Sequence, residues 1–156
     1  MIRLMKEEDL GAVAQLEQSV FSVPWSECNL RESLLRPEYL FLVSEDEGKI
    51  TGYAGLLMIA GEGDVTNIAV FPEYRGRGIG AALTKALLVE GRKRDMNAFT
   101  LEVRVGNQAA IHIYEKLGFR KKAVHHDSWK NQIGELESSV DYELTADAFC
   151  NLKERL

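Results

Sequence analysis

Asn67-Ile68-Ala69-Val70-Phe71-Pro72-Glu73-Tyr74-Arg75-Gly76-Arg77-Gly78-Ile79-Gly80 is the stretch on which the reading of this chain turns. Its first half is apolar and reads as the end of a strand, which Pro72 stops. Its second half sets glycines at 76, 78 and 80, where a helix is expected from about Gly78 to Arg94 with Ile79, Leu83 and Leu87 on one face. Glycines at alternate positions let backbone N–H groups converge without side chains in the way. The first N–H groups of a helix have no partner within it, and the helix dipole adds positive charge at the same point. Arg75 and Arg77 reinforce that charge, so the segment suits a polyanion such as a pyrophosphate. A tight turn with two solvated arginines is the plain alternative. Two other phosphate loops fit less well. A Walker A loop needs Gly-Lys-Ser/Thr at its end, whereas Ala81 and Ala82 follow Gly80. A dinucleotide fingerprint should follow its strand at once, but Phe71 to Arg75 intervene.

Working outward toward the N-terminus, Asp64 to Phe71 reads as a strand, entered from a turn at Gly61-Glu62-Gly63. Tyr39 to Ser44 and Ile50 to Ile59 read as two strands joined by the hairpin signal Asp46-Glu47-Gly48-Lys49. Leu10, Val13, Leu16 and Val20 recur at helical spacing after a short strand at Ile2 to Leu4. Pro24-Trp25 breaks that pattern, and Ser26 is placed to cap a second helix carrying Leu30 and Leu34. Toward the C-terminus, Ala98 to Val105 reads as a strand. Asn107 is placed to cap a helix holding Ala110, Tyr114 and Leu117, with Gly118 as its left-handed stop. Phe119 to Val124 and Ser139 to Leu144 read as the last strands, and Ala146 to Leu156 is helix-like. The order predicts an α/β or α+β domain with a mixed sheet.

A chain of 156 residues with three prolines and no Gly/Ser linker is read as a single domain over 1–156. Its formal net charge of -5 repels phosphate backbones, so no nucleic-acid partner is expected. No apolar run reaches the ~18–20 residues that span a bilayer, so no membrane partner is expected. The first residues turn acidic at once, without an apolar signal core. Cys28 and Cys150 make neither a metal spacing nor a disulfide framework, which fits a reduced, cytoplasmic protein. Adjacent His125 and His126 on a strand point to opposite faces, so one metal between them is not expected.

The loop resembles the acetyl-CoA loop of the GNAT superfamily, written Arg/Gln-x-x-Gly-x-Gly/Ala. Arg75, Gly78 and Gly80 fill it and Gly76 extends it. A second match follows in the right order: Leu101-Glu102-Val103-Arg104, then Asn107, then Ala109-Ala110-Ile111, then Tyr114-Glu115-Lys116-Leu117-Gly118-Phe119. With Pro24-Trp25-Ser26, these segments resemble the RimI-type branch, the bacterial ribosomal-protein-alanine N-acetyltransferases, over about residues 1–124. The resemblance implies a mixed, mostly antiparallel central sheet with helices on both faces and a splayed strand pair that binds acyl-CoA. It implies acetyl-CoA as acyl donor, held by Ile68, Ala69, Val70, Arg75, Gly76, Arg77, Gly78, Ile79, Gly80, Asn107 and Tyr114. It implies a protein N-terminal peptide as acceptor, possibly from a ribosomal protein, bound near Trp25 and Asn67 by a monomer or weak dimer. Past Val124 the pattern departs from that branch. Where the branch has a basic pair and adjacent tyrosines, this chain has His125-His126-Asp127-Ser128-Trp129, and Trp129 is placed to fill part of their space.

Acetyl transfer to an amine needs a neutral amine, a polarised thioester carbonyl and a protonated leaving thiol. Glu102 faces opposite to Leu101 and Val103 on its strand, with Thr100 and Arg104. By itself that pattern fits a surface carboxylate paired with Arg104 as well as a base made stronger by apolar neighbours. The resemblance implies the base, and it implies that Tyr114 is the acid; otherwise Tyr114 reads as a core aromatic on an amphipathic helix. No metal enters this chemistry. A small amine or a lysine side chain as acceptor stays open, as does a binding module that holds acyl-CoA without turnover.

Overall fold

A computed structural model of the chain describes residues 1–130, 136–145 and 147–148. Seven strands form one sheet in the order β1-β2-β3-β4-β5-β7-β6. They are β1 (Ile2–Leu4), β2 (Tyr39–Asp46), β3 (Lys49–Ile59), β4 (Glu62–Val70), β5 (Ala98–Arg104), β6 (Arg120–Lys130) and β7 (Leu136–Thr145). Every neighbouring pair is antiparallel except β4 with β5. The helices are α1 (Leu10–Val20), α2 (Glu27–Leu34), α3 (Ile79–Lys93) and α4 (Gln108–Lys116).

Helices cover both faces because β2 alternates. Leu40 and Leu42 pack with Leu83, Leu87 and Leu88 of α3 and Ile111 of α4. Phe41 and Val43 pack on the opposite face with Leu10, Val13 and Leu16 of α1 and Leu30 of α2. A parallel β4–β5 pair needs a crossover, and α3 supplies it. Ser26 caps α2 by accepting from Asn29 N at 3.1 Å, and Gly118 ends α4 at φ 100.

Two expectations shift. The reversal before β4 lies at Ala60-Gly61, both with positive φ, so Glu62 and Gly63 already belong to the strand. The last two strands are longer than their apolar cores suggest, because β6 and β7 stay paired with each other out to Lys130↔Leu136. Of the helix-like tail from Ala146, only Asp147 and Ala148 lie among the described residues.

Candidate active site

The sheet opens between β4 and β5. Their pairing runs from Glu62↔Ala98 to Val65↔Leu101 and ends there. At that point β4 carries a bulge: Gly55 pairs with Asn67 and Leu56 with Val65, leaving Thr66 as the extra residue. A bulge bends its strand and reverses which residues face which side. Val65 and Ile68 both face the α3 side, whereas Ala69 faces α1. The partner at the bulge has to be glycine. A Cβ on Gly55 would stand 2.7 Å from Thr66 Oγ1 and 2.8 Å from Phe41 Cε1.

Two pockets flank the opening. The larger, of ≈ 970 Å³, is lined by Ile68, Ala69 and Val70 of β4, by Pro72, Tyr74, Arg75, Gly76, Gly78, Ile79 and Gly80 of the loop, and by Asn107, Ala110 and Tyr114. The smaller, of ≈ 190 Å³, lies among Glu17, Phe21, Trp25, Asn67, Glu102 and Tyr114. Ile68, Arg104, Asn107 and Tyr114 line both, so the two spaces meet at the splay.

The loop has the conformation its glycines suggested. Gly76 and Gly78 adopt φ 80 and φ 77, and Gly78 caps α3 without a side chain. The N–H groups of the first turn of α3 therefore face the larger cleft without a capping side chain in the way, a fitting donor set for a diphosphate. Arg75 Nε donates to the Val70 carbonyl at 3.2 Å, which holds its guanidinium at the cleft wall. Arg77 lies instead over the Tyr74 ring, 5.2 Å from its centroid, and is not among the cleft-lining residues. Asn107 caps α4, its Oδ1 accepting from Ala110 N at 3.3 Å.

Glu102 and Tyr114 reach the junction from different elements. Glu102 is exposed and accepts a hydrogen bond from Ser139 Oγ at 2.6 Å, so its setting is more polar than the expected apolar recess. Tyr114 is half-buried, edge-on to Phe119 at 6.0 Å, and burial pushes its phenol up to about 12. Trp25 has two kinds of contact. It lines the smaller pocket and also packs edge-on against Tyr39 and Phe41.

The sequence of the Acetyltransferase (GNAT) family matches this chain over residues 10–119. The chain belongs to the GNAT acetyltransferase family. It is an acetyl-CoA-dependent N-acetyltransferase. Among its GNAT relatives, the ribosomal protein bS18-alanine N-acetyltransferase of Escherichia coli is 32% identical over 139 residues, 89% of this chain and 93% of that protein. The enzyme of the same name from Haemophilus influenzae is 30% identical over 132 residues, 85% and 89% of the two chains. The crystal structure of the ribosomal-protein-S18-alanine N-acetyltransferase from Escherichia coli superposes with TM-score 0.85 at 32% identity, covering 93% of this chain and 92% of that one. A spermidine/spermine N-acetyltransferase from Vibrio cholerae reaches TM-score 0.86 over 98% and 97% at 18% identity, which reflects the shared GNAT fold alone.

Two residues of this GNAT site escaped the sequence reading. Glu17 is buried at the smaller pocket, where it accepts from the Tyr53 hydroxyl and from Asn67 Nδ2 at 2.7 Å. Its signal was a lone charge in the apolar stripe Val13, Leu16, Val20. Burial raises its carboxyl, and the donors around it pull the other way. Ser139, which orients Glu102, had no local signal; only the β5–β7 pairing brings it near. Trp129 lies on β6 opposite Glu137, and its side chain falls outside the description. Among the described residues no group of His, Cys, Asp or Glu gathers as a metal site.

Proposed function

We propose that this enzyme acetylates the N-terminal α-amine of a protein, with a ribosomal protein that begins with alanine as the acceptor its relatives' names indicate. The observation that carries the reading is the meeting of the two pockets at Tyr114, with Glu102 on the side of the smaller one. When bound in the larger cleft, acetyl-CoA supplies an activated acyl group and a sulfur leaving group. The protein does the rest. The N–H groups opening α3 hold the diphosphate beside Arg75, Gly76, Gly78, Ile79 and Gly80. The edge of β4 freed by the splay holds the pantetheine arm. A backbone N–H near Ala69 or Val70 donates to the carbonyl oxygen as it gains charge.

Glu102 takes the proton of the incoming ammonium, directly or through a water. Deprotonating an α-amine at pH 7 costs about 1 kcal/mol, against about 4.6 for a lysine, so one exposed carboxylate is enough for the former. Tyr114 keeps its proton at neutral pH and passes it to the departing sulfur. Trp25, Asn67 and Trp129 are assigned to the acceptor side. No step calls for a metal. No helix among the described residues is long and apolar enough to cross a membrane. We place the enzyme in the cytoplasm as a monomer or weak dimer.

The test is a panel of peptides with alanine, serine and methionine N-termini beside polyamines, read by free-thiol release from acetyl-CoA. Turnover is expected with the alanine peptide foremost. Turnover of polyamines with none of the peptides would refute the assignment.

A further inference from the structure

One buried carboxylate on the acceptor side is not used by this chemistry. Glu17 is 1% exposed and sits near the end of α1. Three donors converge on it: the Tyr53 hydroxyl of β3, Asn67 Nδ2 of β4, and the backbone N–H of Trp25. Each comes from a different part of the fold. Trp25 ends the segment in which Phe21, Ser22 and Val23 also line the smaller pocket. Asn67 directly follows the Thr66 bulge that opens the sheet. Tyr53 is 0% exposed and is not among the pocket-lining residues.

The same contacts fix the Asn67 amide. A carboxylate offers only acceptors, so Asn67 must turn its NH₂ toward Glu17. Its Oδ1 is thereby left buried without a donor among the described residues. Leaving a buried acceptor unmet is unfavourable. The orientation holds because a flipped amide would set its oxygen against the carboxylate and lose a charge-assisted bond.

We propose that Glu17 is a positioning residue for the acceptor: it clamps the segment from Phe21 to Trp25 onto β4 and so sets the shape of the pocket that receives the amine. This rests on the reading of the smaller pocket as the acceptor side. A glutamine at 17 replaces the carboxylate only in part. Its one oxygen can accept from Tyr53 and Asn67, but its NH₂ then meets the backbone N–H of Trp25, which can only donate, and the contact to the segment is lost.

The test compares Glu17→Gln and Tyr53→Phe with wild type, using whichever amine wild type acetylates in the panel above. Acetyl-CoA affinity by calorimetry and the melting temperature are measured alongside. The expected result is an acceptor KM raised about 10-fold or more in Glu17→Gln and about 3-fold in Tyr53→Phe. Acetyl-CoA affinity should stay within about 2-fold. Tyr53 does not line the pocket, so a KM effect there acts through Glu17. If Glu17→Gln does not fold, Tyr53→Phe decides alone. An unchanged acceptor KM in the folded variants, or equal losses in acetyl-CoA affinity, overturns the proposal. Failure of the peptide assignment would show separately, in the acceptor preference of wild type.

Discussion

In the proposed reaction Glu102 and Tyr114 divide the proton traffic, and their surroundings suit that division. Glu102 is exposed and oriented by Ser139, whereas Tyr114 is half-buried and its phenol rises to about 12. Glu102→Gln is therefore expected to lower turnover by about 10²–10⁴-fold, the range of general base catalysis. Because Glu102 does not line the larger cleft, acetyl-CoA affinity should hold. Steady-state rates and calorimetry check both. Tyr114→Phe should slow transfer about 10–100-fold. It should leave the rate-versus-pH profile unchanged below alkaline pH, since the wild-type phenol does not ionise there. A profile that changes shape near neutrality would assign the leaving-group proton elsewhere. At this scale family resemblance named Glu102 and Tyr114, the two side chains proposed to react, and the sequence reading missed Glu17. Helical periodicity counts apolar residues, and it has no means of showing which buried donors would gather around one charge.

At the scale of elements, α3 serves twice: its N-terminus opens on the larger cleft and its body packs on the sheet. Gly78 takes a left-handed φ of 77 at the cap with open space where a Cβ would go. A valine there combines backbone strain of about 1–2 kcal/mol with bulk projecting into that space. Loss of acetyl-CoA binding is expected, with a smaller loss of stability, both measurable by thermal shift. Gly91 answers a different need. A Cβ on it would lie 2.6 Å from Phe99 Cε1 and 3.1 Å from Leu56 Cδ2. Gly91→Ala should cost about 1–3 kcal/mol by overpacking, read from denaturant midpoints, with little change in acetyl-CoA affinity.

At the scale of the whole molecule, Arg3 ties the first strand to the rest. It forms two hydrogen bonds to Asp9, at 2.8 and 2.9 Å, and also reaches Glu45. Arg3 holds the Asp9 carboxyl below its usual value. A depressed carboxyl gives stability that is present above its unfolded pKa of about 3.9 and lost as pH falls through the folded value. Asp9→Asn is thus expected to destabilise by about 1.5–3 kcal/mol at pH 7. The deficit should narrow below about pH 4, where wild type loses the same charge. Chemical denaturation across pH would show this; a deficit independent of pH would assign the effect to packing. Ligand linkage acts on the molecule as a whole. Acetyl-CoA at 100 times its Kd should add about 2.7 kcal/mol and raise the melting temperature by several degrees, whereas NAD should not.

The sequence by itself determined the elements, the conformation of the glycine loop and the family, because these depend on local spacing: apolar period, glycines at fixed offsets, a capping side chain beside its helix. Tertiary structure decided how the sheet opens at the splayed strand that the resemblance implied. The splay begins at an extra residue in β4, and a bulge is defined by its pairing with β3, not by any residue type. It alone joined the two pockets at Tyr114. It alone brought Ser139 to Glu102 across 37 residues and Asn67 to Glu17 across 50. Such contacts arise from strand register and helix docking, which are set by burial summed over the whole core rather than by the residues that meet.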